Sequence, residues 1–347
     1  MNFTSDNITP VCEEVLAAIN AANAGNVSSY GGDPYTQRLT QKVAEVFETD
    51  AVVFPVTTGT AANALSLAQL VPPFGAVYCH ETAHIVTDEC GAPEFFAGGA
   101  KLIGLASADG RIRPEQIEAG VAFATDMGVH HVKPAAVSLT QATEFGTVYS
   151  PSDVAAIAAT ARAAGLALHM DGARFANAVA HLGCSPAQLT WKSGVQVLSY
   201  GATKNGALCA EAVVFFDKDL ARDFDRRRKQ AGHLWSKMRF VSAQLLASFE
   251  NELWLRNARH ANGMATKLSQ GMAALRGVRL LQPVQANEIF ASLPERMATA
   301  LESAGFGFYR WPLCPVNAGE VPIRLVCSYA TREVEVDALV QAAAKLA

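Results

Sequence analysis

Short apolar runs alternate with amphipathic stretches through most of this chain. The runs at 51–56, 76–80, 101–105, 136–139, 166–170, 195–198 and 212–216 have the length and composition of buried strands. Between them lie segments with helical spacing. One runs from Pro151 to Gly165, with Ser152 and Asp153 in its first turn and a glycine at its end. Strands that alternate with helices predict parallel pairing in a helix-covered sheet.

The pattern changes toward both ends. Residues 1–40 have little strand character, a helix at 10–22 and a turn-rich stretch from Gly25 to Pro34. From Val241 a long helical periodicity runs through Met272, followed by short strands at 278–281, 288–293 and 323–327 and a final helix from about Glu333. The chain therefore reads as an α/β protein with an N-terminal arm (1–40), a large, mostly parallel-sheet domain (41–245) and a smaller C-terminal α+β domain (246–347), joined by the helix from Val241.

Composition narrows the functional classes. The 347 residues are half hydrophobic and only 17% charged, which describes a compact chain with a large core. A net charge of −4 gives no attraction for nucleic acid or an anionic membrane, and the run Arg226-Arg227-Arg228-Lys229 is too short to change that. No apolar stretch approaches the ~18 residues of a membrane helix. The opening residues carry neither a basic leader nor an apolar core, so no secretory signal is expected. The seven cysteines include no Cys-x-x-Cys pair. They predict reduced, mostly buried thiols in a cytoplasmic protein, with neither a disulfide framework nor a metal site.

Two clusters carry the candidate chemistry. His169-Met170-Asp171-Gly172-Ala173-Arg174 and Ser199-Tyr200-Gly201-Ala202-Thr203-Lys204-Asn205-Gly206 each follow a predicted strand, so both face the crevice where ligands sit in open α/β sheets. An Asp and a Lys so placed suit pyridoxal phosphate: the amine condenses with the aldehyde, and the acid keeps the pyridine nitrogen protonated. Solvated loop ends show the same pair. Thr57-Thr58-Gly59-Thr60 follows another strand and opens a helix, which makes an anion site or an ordinary N-cap. Arg324 is a charge inside an apolar strand and needs a partner there, a substrate carboxylate or a structural ion pair.

On Asp171-Gly172-Ala173-Arg174, Thr203-Lys204-Asn205-Gly206 and the Gly59-Thr60-x-Ala62-Asn63 stretch, the chain resembles the L-threonine aldolases of the fold-type I pyridoxal phosphate enzymes. The resemblance implies that fold, pyridoxal 5'-phosphate as cofactor, and cleavage of L-threonine, L-allo-threonine or phenylserine-like β-hydroxy-α-amino acids to glycine and an aldehyde. It puts the cofactor on Lys204, its ring nitrogen on Asp171 and its phosphate on Thr58, Gly59 and Thr60. His84 then stacks on the ring and is the candidate base, with Glu89 orienting the proton acceptor. Gln141 is expected near the substrate hydroxyl or the cofactor's phenolic oxygen. Arg174, close to cofactor and substrate alike, joins Arg324 and Ser5 on the substrate carboxylate. Tyr30, in Tyr30-Gly31-Gly32-Asp33-Pro34, and Arg228, on the cofactor phosphate, belong to a site completed across subunits of a homotetramer or dimer. Elimination, transamination or racemisation on the same cofactor, or non-catalytic amino-acid binding, are the rival readings.

Overall fold

The computed structural model describes residues 1–312 and 314–347. Seven strands build the main sheet: β1 (Val52–Val56), β2 (Gly75–His80), β3 (Lys101–Leu105), β4 (Lys133–Thr140), β5 (Ala167–Gly172), β6 (Val197–Gly201) and β7 (Glu211–Phe215). They lie in the order β1-β7-β6-β5-β4-β2-β3. Strands β2, β6 and β7 are buried along their whole length, which explains continuous apolar runs in place of alternation. Each strand lies within a few residues of its predicted position.

The expected parallel pairing holds from β3 across to β6 and fails at β7, which runs antiparallel to both β6 and β1. Only residues 202–210 separate β6 from β7. A parallel return needs a crossover of about a dozen residues or more, so this link turns the chain straight back.

The second sheet is antiparallel, in the order β10-β11-β9-β8, from β8 (Arg279–Leu280), β9 (Glu288–Pro294), β10 (Tyr309–Arg310) and β11 (Glu320–Val326). The sequence did not signal β10, an exposed edge pair in register with Arg324 and Ile323. The helical periodicity from 241 to 272 is two helices, Arg239–Phe249 and Leu253–Ala273. They are broken where Asn251 and Glu252 adopt φ of 51° and 52°, a left-handed conformation that no glycine or proline announces here. The helix Pro34–Phe47 starts earlier than the pattern suggested because the Asp33 carboxylate caps it, accepting from Thr36 N at 2.9 Å.

The two sheets have separate apolar cores. Under the large sheet, Phe175 is fully buried and its ring lies 5.9 Å from Phe47 and 6.3 Å from Trp254, tying helices from both ends of the chain together. The small sheet, through Leu325 of β11, packs on Leu268, Met272 and Leu339, and Phe3 of the N-terminal arm joins that cluster. The arm is held there by backbone bonds from Phe3 N to Gly307 O and from Val326 N to Phe3 O.

A polar thread crosses the middle of the large sheet. The His169 ring bridges Ser138 Oγ on β4 and Ser199 Oγ on β6, each at 2.9 Å. Burial, only partly offset by Asp171, pushes the imidazole down from 6.5 to about 4. Unfolding lets it take up a proton between those values, so its contribution is intact above pH 6.5 and drains away as pH falls toward 4. Denaturant titrations across that interval should show a loss of roughly 3 kcal/mol from this group. His169→Gln should flatten that part of the curve; an unchanged slope would assign the acid sensitivity elsewhere.

Candidate active site

The carboxyl ends of the parallel strands converge on one crevice, as strand direction in an open sheet requires. Asp171 is the fifth residue of β5, and Lys204 sits in the single turn after β6. Both line a narrow cavity with Gly59, Asn63, His84, Glu89, Glu144 and Arg174. That cavity opens into a larger one of about 590 Å³, bounded by Ser5, Arg174 and Lys204 on one side and by Tyr309, Trp311 and Arg324 of the small sheet on the other. Ser5, Gly59, His84, Glu89, Asp171, Arg174, Lys204 and Arg324 are thus brought together from distant parts of the sequence.

A hydrogen-bonded chain fixes the narrow cavity. Asp171 accepts from Ala173 N at 3.0 Å and from Asn63 Nδ2 at 2.8 Å. The same Nδ2 donates to Glu89 Oε1 at 2.9 Å, and His84 Nδ1 lies 2.8 Å from that oxygen. His84 Nε2 lies 3.4 Å from Asp88. The bond to Glu89 raises the His84 pKa, against the opposing effect of burial. Glu89 is itself pushed up by burial, with Asp171 adding to the rise and the His84 bond opposing it. The Glu144 side chain is partly buried, and its carboxylate accepts the His84 backbone N–H at 2.9 Å. Its burial lifts the pKa to about 7.

Four charges converge where the two cavities meet. Arg174 makes a two-point contact with Asp6, Nε to Oδ2 at 2.8 Å and Nη2 to Oδ1 at 2.9 Å, and its Nη1 lies 3.3 Å from Glu288. Arg324 donates to Thr4 O at 3.2 Å, lies 3.8 Å from Glu288 and stacks 4.3 Å from the Trp311 ring. Burial alone would raise the Asp6 pKa, yet Arg174 outweighs it and holds the carboxyl below 3.8. Burial depresses Arg324. Neither oxygen of the buried Glu288 and not the Nε of Arg324 has a hydrogen-bond partner among the described residues. The junction therefore has free donors and acceptors for a zwitterionic ligand.

The residues present fit pyridoxal phosphate. Lys204 reaches both cavities with no hydrogen-bond or ion-pair partner for its amine among the described residues. Thr58 caps the helix Gly59–Leu70 by accepting Ala61 N at 3.1 Å, and a side chain at Gly59 would project into open space within the cavity. That leaves the Gly59 and Thr60 amides, at the positive end of the helix, free for an anion.

Three predicted residues stand elsewhere. Gln141 is fully buried, with both ends of its amide bonded to the Tyr149 backbone at 2.7 and 3.0 Å, so it braces the loop and lines neither cavity. Tyr30 is 49% exposed on another surface, with Lys229 Nζ 4.6 Å above its ring. Arg228 is buried behind the Thr57 turn, bonded to Pro55 O and Asp225, with Nε unpartnered among the described residues.

Sequence reasoning passed over Asn63, Asp6, Glu144 and Glu288. Glu288 is a charge in an apolar strand, the same signal that singled out Arg324; Asn63 lies one helical turn beyond Gly59.

A family model for β-eliminating lyases matches residues 2–295, and a low-specificity L-threonine aldolase from a Pseudomonas species is 47% identical over 96% of this chain and 94% of its own length. The chain belongs to the threonine aldolase branch of the β-eliminating lyase family. The Pseudomonas aeruginosa low-specificity L-threonine aldolase is 48% identical, covering 95% of this chain and 93% of its own. The structure of a Leishmania major threonine aldolase superposes with a TM-score of 0.93 at 28% identity, covering 99% of both chains. Family membership makes the protein a fold-type I, pyridoxal phosphate-dependent enzyme.

Asp6→Asn leaves the buried Arg174 charge short of a partner and should cost on the order of 3 kcal/mol. Because Asp6 is depressed below 3.8, its contribution is present above that pH and is lost as pH falls through the depressed value. Denaturant unfolding at neutral pH and again in acid, with limited proteolysis of the arm, measures both; wild-type stability and protection in the variant at neutral pH would refute this account of the arm.

Proposed function

We propose that the protein is a carbon–carbon lyase that cleaves L-threonine and related β-hydroxy-α-amino acids to glycine and an aldehyde, reversibly. The observation that carries this reading is the unpartnered Lys204 amine facing a cavity shared with Asp171, beside a junction where Arg174 and Arg324 meet.

Pyridoxal phosphate, when bound, supplies an electron sink for the bond broken at Cα. The chain does the rest. Lys204 would hold the cofactor, and Asp171 would keep the proton on its ring nitrogen. Thr58, Gly59 and Thr60 would hold its phosphate at the helix start. Arg324, with Ser5, takes the substrate carboxylate, while Arg174, gripped by Asp6, adds its remaining N–H groups and positive field. With carboxylates facing both its ring nitrogens, His84 retains its proton and forms a wall of the narrow cavity. Glu89 fixes its orientation.

The larger cavity, edged by Tyr309 and Trp311, also suits aryl-bearing substrates such as phenylserine. Exposed Tyr30 and Trp235, with Lys229 and Lys237 beside them, support assembly into a dimer or tetramer in which Tyr30 and Arg228 complete a neighbour's site. All seven cysteines are free, which fits a cytoplasmic location. Among the described residues no helix is long and apolar enough to cross a membrane.

Incubated with L-threonine, the cofactor-loaded protein should release glycine and acetaldehyde in equal amounts without ammonia. Lys204→Ala should lose the visible absorbance of the bound cofactor, and its cleavage rate should fall by on the order of a thousandfold or more. Ammonia release by wild type, or full activity in the variant, would overturn the reading.

A further inference from the structure

We propose that Glu144 is the catalytic residue that takes the proton from the substrate's β-hydroxyl. The inference rests on the aldolase reading above and names a residue of that same site. Glu144 lines both the narrow cavity around Lys204 and Asp171 and the larger one beside the arginines, so it stands where the bond to be broken must lie. One oxygen is fixed by the His84 backbone N–H at 2.9 Å. The other, Oε2, makes no hydrogen bond of ordinary geometry among the described residues, and the Thr140 hydroxyl, which lines the same narrow cavity, lies beside the carboxyl. A carboxyl anchored at one oxygen and unoccupied at the other is oriented to accept a proton from a ligand. His84, the obvious alternative, has Glu89 2.8 Å from one ring nitrogen and Asp88 3.4 Å from the other, which keeps its proton in place.

In the step, the hydroxyl proton passes to Glu144 Oε2 and the O–H electron pair becomes the aldehyde's second C–O bond. The Cα–Cβ bond breaks and its pair passes to Cα, which takes a proton from solvent to complete glycine, while Glu144 releases the hydroxyl proton to solvent, so that atoms and charge balance. In the reverse direction Glu144 donates the same proton to the new alkoxide.

The surroundings tune this carboxyl near neutrality. Burial raises its pKa to about 7, and the Asp171 carboxylate at the end of β5 adds to the rise. Negative charges also face the site from Asp6 on the arm, from Asp88 and Glu89 after β2 and from Glu288 on β9. His84, Arg174, Lys204, Arg310 and Arg324 face it with positive charge. A base must be ionised to accept, so cleavage should fall as pH drops below about 7.

Glu144→Gln keeps an oxygen for the His84 N–H and removes only the acid–base function. The variant should lower kcat/KM for threonine cleavage by about a hundredfold or more and erase the acid limb of its pH profile. Glu144→Asp should retain that limb and part of the rate. Glycine has no β-hydroxyl, so its affinity, read from the visible spectrum of the loaded enzyme, should stay within about threefold of wild type. Infrared titration of the cofactor-free chain gives an independent readout: the wild-type minus Glu144→Gln difference should show a protonated-carboxyl band that vanishes as pH rises through about 7, the band of buried Glu211, raised to the same range, cancelling in the difference. Wild-type cleavage by Glu144→Gln, or loss of glycine affinity in proportion to cleavage, would overturn the role. Absence of acetaldehyde from the wild-type reaction would instead overturn the aldolase reading itself, and this role with it.

Discussion

One amide nitrogen holds the site together. Asn63 Nδ2 donates to Asp171 and Glu89 at once, at 2.8 and 2.9 Å, in a buried setting where neither bond competes with water. Through Glu89 the link reaches the His84 ring, and through the His84 backbone it reaches Glu144. Four pieces of chain are thereby locked into one geometry: the start of the helix Gly59–Leu70, the loop after β2, the loop after β4 and the end of β5. Each lies on a different strand-to-helix connection, so only the parallel sheet brings them within reach of one another. Two like charges share one donor, which is tolerable because one of them also faces an imidazole that keeps its proton.

A second constraint concerns charge at the junction of the cavities. Arg174 is largely buried and needs compensation, and Asp6 supplies it in a two-point contact from an arm anchored by Phe3 in the small sheet. The arm therefore belongs to the electrostatics of the site as much as to the packing of the sheet. Glu288 lies within ion-pair distance of both arginines but has no hydrogen bond to either oxygen among the described residues, so a substrate carboxylate enters a place where negative charge is already present. Its binding relies on the guanidinium groups being shared, a more finely balanced arrangement than a simple arginine clamp.

Much of this was legible in the sequence, for physical reasons. Buried strands betray themselves as short apolar runs, and an Asp and a Lys just past two of them fall in the crevice by topology alone. The direction of β7 was not legible from periodicity, because burial looks the same whichever way a strand runs; the shortness of the link over 202–210 carried that information. The break at Asn251 and Glu252 escaped because left-handed turns without glycine leave little trace. Gln141 sits in the right loop, but a one-residue alternation decides which side chain faces the cavity, and Thr140 and Ala142 face it instead. Glu144 looked like one polar residue among several in its loop, since nothing local says that its carboxyl will line both cavities.

The edge strand β10 divides labour within the molecule. Its two exposed residues border the wider cavity while contributing almost nothing to either apolar core. Asp171 and Lys204, in contrast, hang from β5 and β6, whose neighbours in the sheet are all interior strands. Replacement at Tyr309 or Arg310 can thus reshape the entrance at small thermodynamic penalty, whereas a change beneath Asp171 disturbs folding and reactivity together. Diversification of which side chains are admitted is cheap in this architecture, and alteration of the reaction is not.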